Sequence, residues 1–148
     1  MGAVADACRH YRGDSTRAVR LLVVDDHVGV REALVEFLGG AGDITVVGEC
    51  EDGSEVVAAA DRLRPDVVLM DLTMAGMDGL SATRALLAAQ PDARVVVLTS
   101  RGDEARPAAL DAGARGFVSK SADPAMLLRC IRSVVAGCSC CLDEAADA

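Results

Sequence analysis

Two periodicities alternate along the chain from Val19 onward. Short apolar runs rich in branched side chains read as strands buried on both faces. They are Leu21-Leu22-Val23-Val24, Ile44-Thr45-Val46-Val47, Val67-Val68-Leu69-Met70, Val95-Val96-Val97-Leu98 and the shorter Gly116-Phe117-Val118. Between them, apolar residues recur at helical spacing. Val30, Ala33, Leu34, Phe37 and Leu38 mark a first helix ending at Gly39-Gly40. A second starts near Ser54, presents Val56, Val57, Ala60 and Leu63, and ends before Pro65. The third follows Asp78-Gly79 and runs through Leu80, Thr83, Leu86 and Leu87 to Gln90, where Pro91 stops it. A fourth helix beginning at Asp103 would set Pro107 against the carbonyl four residues back, at about 3 kcal/mol. Regular helix is therefore predicted from about Arg106-Pro107 to Ala112, after a longer mobile loop. The fifth has Asp123 as its N-cap and Pro124 in its first turn, and carries Met126, Leu127, Cys130, Ile131 and Val134 to Gly137.

Five strands alternating with five helices predict an α/β fold, a doubly wound parallel sheet with right-handed crossovers. It occupies residues 19–137. Residues 1–18 read as a flexible N-terminal extension and 138–148 as a C-terminal tail. The 148 residues suit one such domain and suffice to bury a core without disulfides or structural metal.

Composition narrows the function. Aromatics are 2% of the chain, only Tyr11, Phe37 and Phe117, so bases or sugars would find almost nothing to stack on. The formal net charge is −8, the opposite of the footprint that binds nucleic acid. With 51% hydrophobic residues the chain is not disordered. The first twenty residues hold Arg9, Arg12, Arg17 and Arg20 without an apolar stretch, and no run is long enough to span a bilayer. The six cysteines, Cys8, Cys50, Cys130, Cys138, Cys140 and Cys141, lack a framework spacing, which fits a reduced, cytoplasmic protein. Cys138 and Cys141 form a Cys-x-x-Cys pair, but no second pair completes a zinc site. Cys8 and His10 read as incidental.

The chemistry lies just past the end of each strand, because ligands of an open parallel sheet bind beyond the strand C-termini. Asp25-Asp26 come after the first strand, Asp71 after the third, Thr99-Ser100 after the fourth and Lys120 after the fifth. Any one of these could be an ordinary turn or cap residue. Together they are costly, since two carboxylates about 4 Å apart repel by roughly 4 kcal/mol at an effective dielectric near 20. A hard divalent cation would relieve that repulsion, and a carboxylate beside Mg²⁺ can accept a phosphoryl group. Lys120 and Thr99 would then supply positive charge and a hydrogen-bond donor to the transferred group.

Over residues 19–137 the sequence resembles the receiver (CheY-like) domain of bacterial two-component response regulators. Four segments carry the resemblance: Leu21 to His27, Asp71 to Gly79, Val97 to Ser100, and Ala112 to Lys120. Asp-Asp-His and Gly-Ala-Arg-Gly-Phe are worded most like receivers that precede LuxR-type (NarL-type) DNA-binding domains. The resemblance implies a flavodoxin-like strand order 2-1-3-4-5. It implies Asp71 as phosphoacceptor, Mg²⁺ held by Asp26, Asp71 and the Thr73 carbonyl, and Asp25 acting largely through water. Thr99 would bind the phosphoryl group, Lys120 would pair with it, and Thr99 and Phe117 would form the switch. The implied partners are a sensor histidine kinase and, through the fourth helix, fifth strand and fifth helix, a downstream protein or a second copy. The implied chain is not an enzyme toward other substrates and promotes only its own phosphorylation and dephosphorylation. Ala75 departs from the family, which usually has Pro there, leaving the loop after Asp71 less constrained.

Other readings fit less well. A haloacid-dehalogenase-like phosphatase would want a second Asp at position 73, where Thr73 stands. A dinucleotide-binding module would want a glycine-rich loop where Asp25-Asp26 stand. The open contest is between a stand-alone receiver and a truncated LuxR-type regulator. No helix-turn-helix is expected between Gly137 and Ala148, so direct nucleic-acid binding by this chain is not expected.

Overall fold

A computed structural model describes residues 18–137. The predicted tail and residues 1–17 of the predicted extension, with Cys8, His10 and the Cys138–Cys141 pair, lie outside the described residues. The strands are β1 (Val19–Val24), β2 (Ile44–Cys50), β3 (Val67–Met70), β4 (Val95–Thr99) and β5 (Gly116–Ser119). All pair in parallel, in the order β2-β1-β3-β4-β5. The helices are α1 (Val28–Gly39), α2 (Val56–Leu63), α3 (Gly79–Ala89), α4 (Arg106–Asp111) and α5 (Pro124–Val135).

Alternation along each strand sends successive side chains to opposite sheet faces, which builds two cores. Leu22, Val24, Val68, Met70, Val95 and Val97 pack with α2, α3 and α4. Leu21, Val23, Leu69, Val96 and Leu98 pack with α1 and α5. Caps fix the helix starts that frame the strand C-termini. Asp78 accepts the Ser81 N–H at 2.8 Å and Asp123 the Ala125 N–H at 2.9 Å, with Pro124 next in the chain. Arg132 on α5 grips both carboxylate oxygens of Asp43, before β2, at 2.8 and 2.9 Å. That guanidinium holds the Asp43 carboxyl below its ordinary pKa.

Three expectations change. The second strand runs on to Cys50 and is not buried on both faces, because its edge place leaves Thr45 and Glu49 exposed. The loop before α4 contains a 3₁₀ turn over Asp103–Ala105 that buries Ala105, while α4 itself begins at Arg106 as Pro107 requires. The face predicted for α1 buries only Leu38 fully. Val30 and Phe37 stay 37% and 40% exposed, because Leu127, Cys130, Ile131 and Val134 of α5 cover much of that sheet face. An apolar groove of about 440 Å³ remains between α1 and α5.

Leu69→Ala, at a position 1% exposed, is expected to cost about 2–5 kcal/mol in urea unfolding. Phe37→Ala is expected to cost no more than about 0.5 kcal/mol. Equal losses would show that α1 is packed far more tightly than its exposure indicates.

Candidate functional site

Parallel pairing of β1 with β3 brings the residues after both strands together. Val24 lies opposite Met70, and the Asp71 N–H donates to the Val24 carbonyl at 3.0 Å. Asp25 and Asp71 are therefore both buried, 1% and 3% exposed, at the centre of the strand C-terminal edge. The order of β4 and β5 then sets Thr99 and Lys120 on the same edge.

Lys120 Nζ lies 2.9 Å from Asp25 Oδ2 and 3.5 Å from Asp71 Oδ1. The ammonium thus offsets part of the repulsion between two buried carboxylates. Asp25 Oδ1 also accepts the His27 N–H at 2.8 Å. Burial raises the Asp71 pKa above the ordinary carboxylate value, Lys120 opposes the rise, and Asp25 adds to it.

One ligand atom each from Asp25, Asp26, His27 and Asp71 falls within a 4.8 Å cluster. Asp71 Oδ2 and Asp26 Oδ1 are buried with no hydrogen-bond donor. His27 Nδ1 lies 3.0 Å from that Asp26 oxygen but is charged only when protonated. Two unpaired buried carboxylate oxygens beside a third carboxylate form a donor set suited to a hard cation. Thr73 stands at the surface and donates its N–H to Asp71 Oδ1 at 3.3 Å.

Thr99 is fully buried, and its Oγ1 accepts the Arg101 N–H at 3.0 Å. A hydroxyl that accepts this bond keeps its own proton for another acceptor. Phe117, 3% exposed, lies in the core with the Arg106 guanidinium 4.5 Å from its ring centroid, a cation–π contact.

Sequence reasoning missed three participants. His27 carries no sequence signal beyond its place in a motif, yet its backbone and ring both approach the carboxylates. Arg31 donates to the Asp25 carbonyl at 2.6 Å and to Glu49 Oε1 at 3.0 Å, tying α1 to the site. Arg106 has no sequence signal, because its partner ring is eleven residues away on another element.

The family model for the response regulator receiver domain matches residues 21–132. Response regulator GacA of Pseudomonas viridiflava is 43% identical over 120 residues, covering 80% of this chain and 56% of that protein. The chain thus spans little more than half the length of such curated relatives. A LuxR-family two-component response regulator from Aurantimonas sp. SI85-9A1 superposes with a TM-score of 0.79 at 36% identity, covering 82% of this chain and 87% of that one. The signal receiver domain of the putative response regulator NarL from Mycobacterium tuberculosis gives 0.77 at 32% identity, covering 82% and 98%.

Asp71 holds a proton more tightly when folded than when unfolded. Its contribution favours folding below the ordinary value of 3.8 and is lost as pH rises through the raised folded pKa. In metal-free buffer, Asp71→Asn is expected to raise the urea midpoint at pH 7, with the gain shrinking as pH falls toward 3.8. A midpoint lowered at pH 7 would mean that pairing with Lys120 outweighs burial.

Proposed function

The chain belongs to the response regulator receiver domain family, and on that premise we propose that it takes a phosphoryl group from a sensor histidine kinase onto Asp71. The observation that carries this reading is a buried Asp71 whose Oδ2 has no partner, flanked by two carboxylates and one ammonium.

In the reaction an Asp71 oxygen attacks the phosphorus of a phosphohistidine. An O–P bond forms as the P–N bond breaks, and the electron pair goes to the imidazole, which takes up a proton. Mg²⁺, when bound, neutralises charge on the phosphoryl oxygens and on the carboxylates. Asp25, Asp26, Asp71 and the Thr73 carbonyl are the groups that would hold it. Lys120, already 3.5 Å from Asp71 Oδ1, pairs with the phosphoryl group, and Thr99 donates its free hydroxyl proton. The chain acts on its own aspartate, promoting its own phosphorylation and dephosphorylation, and is not an enzyme toward another substrate.

Output arises from a shift between two arrangements. Thr99 and Phe117 form the switch, and Phe117 sits beneath Arg106 at the start of α4. Recruiting Thr99 to a phosphoryl oxygen acts on the Oγ1 that now accepts the Arg101 N–H, at the head of the loop leading into α4. The face of α4, β5 and α5, with Leu110 and Met126 43% and 42% exposed, engages a downstream protein or a second copy. We place the receiver at residues 19–137 and the protein in the cytoplasm; no described helix is long and apolar enough to cross a membrane. A second reading, the receiver half of a LuxR-type transcriptional regulator, draws on the Aurantimonas likeness and on the 56% coverage of GacA. In either case the −8 charge of the 148 residues disfavours direct nucleic-acid binding by this chain.

Incubation with Mg²⁺ and a small-molecule phosphodonor is expected to give one phosphoryl adduct by intact mass, sensitive to hydroxylamine. Asp71→Asn should abolish it. No adduct on the wild type, or an undiminished adduct on the variant, would refute the assignment.

A further inference from the structure

The loop from Asp71 to Asp78 is held by an alternating set of backbone hydrogen bonds to carboxylates. Thr73 N–H donates to Asp71 Oδ1 at 3.3 Å, Ala75 N–H to Asp26 Oδ2 at 3.0 Å, and Met77 N–H to Asp52 Oδ1 at 3.2 Å. Leu72 and Met74, 2% and 8% exposed, anchor the intervening positions in the core. Two of the three acceptors belong to the site already described. Asp52 does not: it caps the 3₁₀ turn Gly53–Glu55 that precedes α2, accepting the Ser54 N–H at 2.9 Å on the same Oδ1.

The two loops interlock. A Cβ at Gly53 would come within 2.5 Å of the Met77 carbonyl, and one at Gly76 would collide with the Asp52 carboxylate. The Ser54 and Met77 N–H groups hold the Asp52 carboxyl below its ordinary pKa, so it stays an acceptor at neutral pH. Position 75 carries an alanine, with no ring to restrict its backbone, so these bonds share with buried Leu72 and Met74 the work of fixing the loop.

We propose that Asp52 is a positioning residue for phosphoryl transfer, clamping the loop that carries Thr73 and Ala75 so that the Asp71 and Asp26 oxygens face the incoming group and its metal. This rests on Asp71 being the phosphoacceptor. Asp52 touches neither phosphorus nor metal; it acts through Met77. Because both hydrogen bonds fall on one oxygen, an amide can keep them while the charge is lost.

The test compares phosphorylation rates from a small-molecule phosphodonor, calorimetric Mg²⁺ affinity, and hydrogen exchange of residues 73–77, all well below the melting temperature. Asp52→Ala is expected to lower rate and Mg²⁺ affinity about 10-fold and to speed exchange at Met77. Asp52→Asn should stay near wild type. Glu51→Ala, which removes an equal charge from the neighbouring exposed residue, should leave the rate unchanged. Gly76→Ala presses on the same carboxylate from the other side and should also slow the reaction, which covers a failure of Asp52→Ala to fold. Wild-type rates in Asp52→Ala and Gly76→Ala, or equal losses in Asp52→Asn or Glu51→Ala, would overturn the clamp. A wild type that takes no phosphoryl group would refute the phosphoacceptor assignment, and the clamp with it.

Discussion

Three carboxylates converge on one sheet edge, two of them almost fully buried, and one ammonium stands among them. Repulsion of roughly 4 kcal/mol per close pair would drive such groups apart on a flexible scaffold. Here the backbone does not allow it. The Asp25 N–H is bound to the Cys50 carbonyl and the Asp71 N–H to the Val24 carbonyl, each at 3.0 Å, so both residues are continuations of the β-ladder. Lys120 is held equally firmly, its N–H donating to the Thr99 carbonyl at 2.8 Å. The sheet imposes the cluster, and its chemistry comes from the electrostatic imbalance left over.

That imbalance needs a stiff support. The two apolar cores supply it, one on each face of the sheet, and the inner strands β3 and β4 between them are fully buried. Val, Leu and Ala do this work nearly alone, since Phe117 is the one aromatic buried among the described residues. Phe117 itself projects from β5 into the core and carries the Arg106 guanidinium, at the start of α4, over its ring.

Features that depend on local pattern were legible in the sequence. Buried parallel strands write themselves as unbroken Val and Leu runs, so β1, β3 and β4 and the polar residues after them could be read directly, as could Asp123 and Pro124 at the start of α5. Features that depend on which residues become neighbours in space were not. The exposure of β2 comes from its edge place, and the half-covered face of α1 from competition with α5. Asp52 carries no signal of its own in the sequence, because Met77, which shares its oxygen with Ser54, lies on another loop. Ala75 reads from sequence only as a lost constraint; in the fold its free N–H reaches Asp26, a bond proline could not make.

We propose that a divalent cation relieves the repulsion between the carboxylates that the sheet forces together. That claim is tested most directly by the melting temperature with and without Mg²⁺, in the wild type and in Asp26→Asn. Mg²⁺ is expected to raise the wild-type value clearly more than the variant's, and the metal-free variant to be at least as stable as the metal-free wild type. Equal Mg²⁺ shifts in the two proteins would contradict it.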